Sequence, residues 1–415
     1  MENFVFENRT KVLFGRQALA GIGPEVAALG GRALLVHGRE SARRSGLLGR
    51  VADALAAAGV TVVEFGGVRA NPVVEHVRQG IALARLQGVE VVVAVGGGSV
   101  IDSAKAICAG VPVEHDVWRF FRGKKGVAAA LPLACVATVA GSGSELNGGM
   151  VLTNQESGQK IGIGNRLLQP RVAVLDPTLT CTVPPDHTAF GAVDIVAHLL
   201  EFYCTTEAPR TPVQDRFMEG LAMTVMESCD RVLAEPADYQ GRAELLWCGA
   251  LALSGLPAAG LGWVGFPMHM LAHALGALFD VPHGASLAVV MPAWLGWRAE
   301  RQPARIASFA GRVFALPPGD AATLARQGID RLTAWFAATG CPASLADLGI
   351  TADHIPALAD AALPQAKLWR LRDYSRPVIE TILHRCLCPP AVAAPARSIP
   401  PPGPSAPGAA PPGGR

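Results

Sequence analysis

The spacing of apolar residues changes several times along the first 180 positions, and each change marks an element. "VEVVVAVGGG" (89–98) is apolar almost throughout until its glycines, the pattern of a strand buried on both faces. "RALLVHG" (32–38), "VTVVEFGGV" (60–68), "PLACVAT" (132–138) and "RVAVLDP" (171–177) read as further strands. Between them, "SGLLGRVADALAAAG" (45–59), "VVEHVRQGIALARLQG" (73–88) and "VIDSAKAICAG" (100–110) place apolar residues at helical intervals. Such alternation predicts a parallel sheet covered by helices on both faces. After about residue 184 the strand signal fades. "PPDHTAFGAVDIVAHLLEFYC" (184–204), "VQDRFMEGLAMTVMESCDRVLAE" (213–235) and "GRAELLWCGALALSGL" (241–256) all have helical spacing. The expected layout is an α/β domain over 1–182 and an all-helical domain over 183–387, with a small-molecule site in the cleft between them.

Composition adds exclusions. Half of the 415 residues are hydrophobic, enough for a large core, and 36 basic residues nearly balance 34 acidic ones. That balance, without a basic block, argues against nucleic acid as a partner. No apolar run approaches a membrane span, and the start, "MENFVFENRTKVLFG", lacks the pattern of a signal peptide. Nine scattered cysteines suit reduced thiols in the cytoplasm. Residues 388–415, rich in Pro, Ala and Gly, hold too little apolar surface to offset the entropy of ordering and are expected to form a disordered tail.

Two groups of residues carry candidate chemistry. Gly96, Gly97, Gly98 and Ser99 stand where a buried strand gives way to a helix. Glycine lets a ligand approach the backbone, and a helix N-terminus offers unpaired N–H groups, which together suit a pyrophosphate. The spacing is not G-x-G-x-x-G, so a plain tight turn is the competing reading. A second small-residue loop after another strand, "TVAGSGSE" (138–145), strengthens the cofactor reading. Asp194 and His198 share one face of an apolar helix, where a buried carboxylate needs a partner or a metal. His269 and His273 repeat the four-residue spacing, and His283 follows a proline just beyond. One carboxylate and up to three imidazoles suit Fe(II) or Zn(II); hydrogen-bonded core histidines are the plainer alternative. Spacing alone does not rank the histidines.

In their order and spacing, "FENRTKVLFG", "VGGGSVIDSAKAI" (95–107), "GSGSE", "VLDP", "DHTAFGAVDIVAH" and "HMLAHALGALFDVPHG" resemble the iron-activated (group III) alcohol dehydrogenases. Within that family the likeness is to the butanol dehydrogenase and NADPH-dependent aldehyde reductase branch. It covers residues 3 to about 387. The resemblance implies a Rossmann-like N-terminal domain, a helical C-terminal domain and a homodimer. It implies Asp194, His198, His269 and His283 as ligands of one divalent metal, with His273 beside the nicotinamide and substrate as the catalytic group. It places the pyrophosphate on Gly96, Gly97, Gly98 and Ser99, with Thr138 and Ser142 in the second cofactor loop. Lys160 aligns with a lysine that reaches the nicotinamide ribose, and Asp102 with an aspartate near the cofactor. Where NAD-using relatives tend to carry an aspartate, this chain has "HGRESARRSG". Gly38, Arg39 and Ser41 there, with Arg43 and Arg44 nearby, suit a 2′-phosphate and point to NADP(H) rather than NAD(H). Glu40 is the dissenting neighbour, one residue out of register. The expected activity is metal-dependent hydride transfer between NADP(H) and a primary alcohol/aldehyde pair. A maleylacetate reductase or polyol dehydrogenase on the same architecture is the alternative, and a metal-dependent hydrolase is a more distant one.

Overall fold

A computed structural model describes residues 1–388. The expected tail falls, from residue 389 onward, outside the described residues. The strands are β1 (Lys11–Phe14), β2 (Arg32–His37), β3 (Thr61–Phe65), β4 (Val91–Gly96), β5 (Leu133–Ala137), β6 (Gly149–Asn154), β7 (Gln159–Gly164) and β8 (Val172–Leu175). Six form one sheet in the order β1-β8-β5-β4-β2-β3, and each neighbouring pair is parallel. β6 and β7 form a separate antiparallel hairpin.

The apolar pattern explains how the sheet is covered. All six residues of β4 are buried. Val91, Val93 and Val95 pack on one face with Val51 and Leu55 of the helix Leu47–Ala57. Val92 and Ala94 pack on the other face with Ile101 and Ile107 of the helix Gly98–Gly110. This is the two-sided burial that a continuous apolar strand requires. Leu246 and Ala250, from the helix Tyr239–Ala252, join that second face, so the helical half shares a core with the sheet. A third core lies within the helices.

The five strands expected from the pattern correspond to β2, β3, β4, β5 and β8. β1 and the hairpin were not anticipated. β1 is four residues at the sheet edge, too short for a periodic signal. The helix after β4 begins at Gly98, two residues before the expected start, so Gly98 and Ser99 form its first turn. The sheet ends at Leu175 and the long helices begin at Pro185. No helix among the described residues is long and apolar enough to cross a membrane.

Local signals set the helices that matter most. Pro185 and Pro267 open the helices Pro185–Thr205 and Pro267–Phe279, where a missing N–H does no harm. Pro267–Phe279 stops at Asp280, a left-handed residue with φ 53°. Val281 and Pro282 then lead directly into the helix His283–Ala299. Asn71 Nδ2 donates to Asp280 Oδ1 at 2.7 Å, tying this turn to the α/β half.

The two halves also meet backbone to backbone. A Cβ added at Gly191, in the helix Pro185–Thr205, would stand 2.1 Å from Ala140 O in the loop after β5. Gly191→Ala is therefore expected to destabilise the protein by about 1–3 kcal/mol. Urea denaturation checks this as a lower midpoint at unchanged slope.

Candidate functional site

Two loops leave the C-terminal ends of adjacent strands, the position at which open α/β sheets take ligands. Gly96 pairs with Ala137 across β4 and β5, and Thr138 N–H donates to Gly96 O at 3.1 Å. In the first loop Ser99 Oγ donates to Ala70 O at 2.5 Å. What this turn offers an anion is therefore backbone N–H at the helix start. Ser142 Oγ, in the second loop, accepts Ser144 N–H at 3.3 Å and lies against Gly98.

Asp102 lies behind these loops. Its two oxygens accept Ser144 Oγ–H at 2.6 Å and Val151 N–H at 2.9 Å. Lys105, one turn on and fully buried, donates to Ser144 Oγ at 2.8 Å, Asn147 Oδ1 at 3.1 Å and Gly149 O at 2.7 Å. Burial pushes Lys105 down to about 8, against the pull of Asp102. Together the pair fastens the second loop and β6 to the helix Gly98–Gly110. Lys105 was not singled out from the sequence. Its signal was a lone cation in the apolar run "VIDSAKAICAG", the argument that had picked out Asp194.

Past β2 the chain borders an open concavity of about 480 Å³ whose walls include His37, Arg39, Glu40, Arg43 and Glu64. Glu64 accepts from Arg43 and faces His37 Nε2 at 2.8 Å. Arg39 and the dissenting Glu40 thus share one surface. Gly38 accepts Gly67 N–H at its carbonyl, and Ser41 opens the short helix Ser41–Arg44.

The histidine cluster is built from three helices. Asp194 and His198 come from Pro185–Thr205, His269 and His273 from Pro267–Phe279, and His283 is the first residue of His283–Ala299. Asp194 Oδ1 lies 3.7 Å from His198 Nε2, 3.4 Å from His269 Nε2 and 3.5 Å from His283 Nε2. These separations approach the edge of roughly 3.4 Å in a tetrahedron with metal–ligand bonds of roughly 2.1 Å. Asp194 Oδ1 and His269 Nε2 are buried and have no hydrogen-bond partner. An unpaired carboxylate oxygen facing unpaired imidazole nitrogen is costly unless a cation stands between them. The donor set therefore fits one divalent metal, and Asp194, His198 and His269 alone already form a group with ligand atoms within 4.8 Å of one another.

Electrostatics separates the members. Burial raises the Asp194 carboxyl, but the surrounding histidines outweigh it and hold it well below the usual range. Burial pushes His198 down to about 4 and His283 well below its ordinary value, in both cases against the pull of Asp194. For His269, burial is outweighed by Glu201 and Asp194, which raise it to about 9. Glu201 is fully buried; it accepts from His269 Nδ1 and also from Met268 N–H and His269 N–H at the start of their helix. The sequence reading missed Glu201, although a carboxylate three residues after His198 on the same apolar helix carried the same signal as Asp194.

His273 stands to one side, its ring centroid 6.2 Å from His269 and 5.5 Å from His283. Burial, then the Lys160 cation, hold it well below its ordinary value. Lys160 lies on β7 and donates to Asn71 Oδ1 at 2.7 Å. Phe266 and Trp369 wall the cluster, with ring centroids 5.7 Å from His269 and 5.7 Å from His273 respectively. Trp263, three residues before Phe266, is 42% exposed. Trp369 was not anticipated.

The family profile "Iron-containing alcohol dehydrogenase" matches residues 9–177, and "Fe-containing alcohol dehydrogenase family, C-terminal" matches 188–387. The chain is 37% identical over 391 residues to the probable NADH-dependent butanol dehydrogenase 1 of Bacillus subtilis, spanning 93% of this chain and 100% of that protein. It is 36% identical to the NADPH-dependent aldehyde reductase YqhD of Escherichia coli, over 86% of this chain and 92% of that one. Among solved structures, the NADH-dependent butanol dehydrogenase A of Thermotoga maritima superposes with a TM-score of 0.90 at 35% identity, covering 94% of this chain and 99% of its own. The chain belongs to the iron-containing alcohol dehydrogenase family and is an oxidoreductase of its butanol dehydrogenase and aldehyde reductase branch.

Proposed function

We propose that the protein interconverts primary alcohols and aldehydes by exchanging hydride with NADP(H), and that Asp194, His198, His269 and His283 hold one iron or zinc ion. The observation that carries this reading is the buried, unpaired Asp194 Oδ1 ringed by three imidazole nitrogens at 3.4–3.7 Å, beside two small-residue loops at strand ends. Family membership removes the hydrolase alternative. A metal held there supplies Lewis acidity toward a substrate oxygen.

The other tasks fall to side chains and backbone. Backbone N–H groups of Gly97, Gly98 and Ser99 receive the pyrophosphate, and Thr138 and Ser142 border it from the second loop. Asp102 acts from behind, holding that loop through Ser144. Lys160 Nζ binds a ribose hydroxyl. Phe266 and Trp369 exclude water from the reacting carbon. His273, off the metal cage, moves the proton that balances hydride transfer. Arg39 receives the 2′-phosphate in the concavity past β2, with Gly38 and Ser41 shaping that turn. All nine cysteines are free thiols, which supports a cytoplasmic protein. Phe4, Val5 and Phe6, along the segment before β1, and Phe14 of the edge strand β1 with Trp247, whose ring centroid lies 5.8 Å away, expose apolar surface, which supports a homodimer.

Metal-loaded protein is expected to oxidise NADPH with short and medium aldehydes in preference to NADH. Arg39→Asp should move the ratio of kcat/KM values toward NADH by roughly ten- to a hundredfold. An unchanged ratio would remove Arg39 from the site, and no turnover with any aldehyde would remove the activity. His269→Ala is expected to lose metal by elemental analysis. His273→Ala should keep a full complement while turnover falls roughly a hundredfold or more; equal metal loss in both would overturn the division of roles. Light scattering should give twice the chain mass, and Val5→Asp with Phe4→Asp should give a monomer.

A further inference from the structure

Gln365 lies in the helix Ile355–Leu368 and is 1% exposed. Its amide pairs with a single residue of the hairpin. Oε1 accepts Gly162 N–H at 2.8 Å, and Nε2 donates to Gly162 O at 3.3 Å. This is the two-point pairing that another strand would give a residue at a sheet edge. It also fixes which end of the amide is oxygen, because the flipped amide would set N–H against N–H and oxygen against oxygen. Trp369 Nε1 donates to the same Gly162 O at 3.0 Å. The approach depends on glycine: a Cβ at 162 would stand 3.1 Å from Trp369, 3.2 Å from Val151 and 3.5 Å from His273 Cε1.

With the amide so oriented, Gln365 Oε1 also meets His273 Nδ1, at 3.4 Å. A carbonyl oxygen only accepts, so Nδ1 carries the hydrogen, and in the neutral ring Nε2 holds the lone pair. We infer that Gln365 is a positioning residue for His273, holding it as the Nδ1–H tautomer with Nε2 free to take and return a proton. The inference rests on the proposed role of His273 in proton transfer. The competing account is that Gln365 only fastens its helix to the hairpin.

Gln365→Met removes the acceptor at similar length, whereas Gln365→Glu keeps an oxygen facing Nδ1. Three readouts decide between the accounts, all on zinc-loaded full-length protein. In histidine-labelled parent protein, long-range ¹H–¹⁵N correlations are expected to show His273 Nδ1 protonated and Nε2 bare, with that signature lost in Gln365→Met and kept in Gln365→Glu. The kcat of Gln365→Met should fall roughly tenfold or more, with metal content and the KM for NADPH unchanged, and Gln365→Glu should recover most of it. In a His273→Ala background, Gln365→Met should cause no further fall. A parent ring protonated at Nε2 overturns the inference. So does an equal kcat loss from Gln365→Met with and without His273, since a fastening role acts regardless of that ring. His273→Ala with unaltered kcat is a separate outcome, which overturns the proton-transfer reading and this inference with it.

Discussion

Asp194 sits mid-helix among apolar neighbours, 6% exposed, with one oxygen that no hydrogen bond satisfies. Leaving an ionised carboxylate there without compensation is costly enough to oppose folding of the segment around it. The chain answers with imidazoles from two further helices. That requirement ties together features that otherwise look separate: the prolines that start Pro185–Thr205 and Pro267–Phe279, the left-handed Asp280, and the short passage through Pro282 to His283. Each delivers a nitrogen to the same oxygen. The three histidines are not equivalent in what stands behind them. His269 has Glu201 at its far nitrogen, while Nδ1 of His198 and of His283 is buried without a partner. Glu201 also accepts two N–H groups at the start of the helix that bears His269, so capping and orientation share one side chain.

The α/β half solves a parallel problem with opposite sign. Lys105 is a fully buried cation, and it is satisfied by a hydroxyl, an amide oxygen and a carbonyl, with Asp102 close by. All of these belong to, or hold, the loop after β5 and strand β6. The small residues of the loops leave room for a ligand but cannot hold a loop in shape themselves. The buried charges beneath supply that stiffness.

Much of this was legible because the relevant signals are local. Continuous apolar runs gave five strands, and four-residue spacing put Asp194 with His198 and His269 with His273. The ranking of the histidines came only from resemblance, since spacing holds no information on which nitrogens converge. What was missed divides in two. Glu201 and Lys105 were within reach, because each is a charge inside an apolar helix and buried-charge reasoning applied to Asp194 applies equally to them. Gln365 and Trp369 were not. They lie in "LPQAKLWRLRD", which has no chemical pattern of its own, and Gln365 meets His273 across 92 residues of sequence. The hairpin was obscured for another reason: Gly149, Gly162 and Gly164 interrupt the alternation by which a strand is recognised.

The contact of Gly191 with Ala140 joins the helix of Asp194 to the loop after β5 by main chain alone. Spacing between the proposed metal cage and the proposed nucleotide loop is therefore a property of the scaffold, independent of any rotamer. Phe266 and Trp369 lie off that seam. Under the proposed function, a change of bulk at those two positions alters the wall beside His269 and His273 and leaves that seam in place.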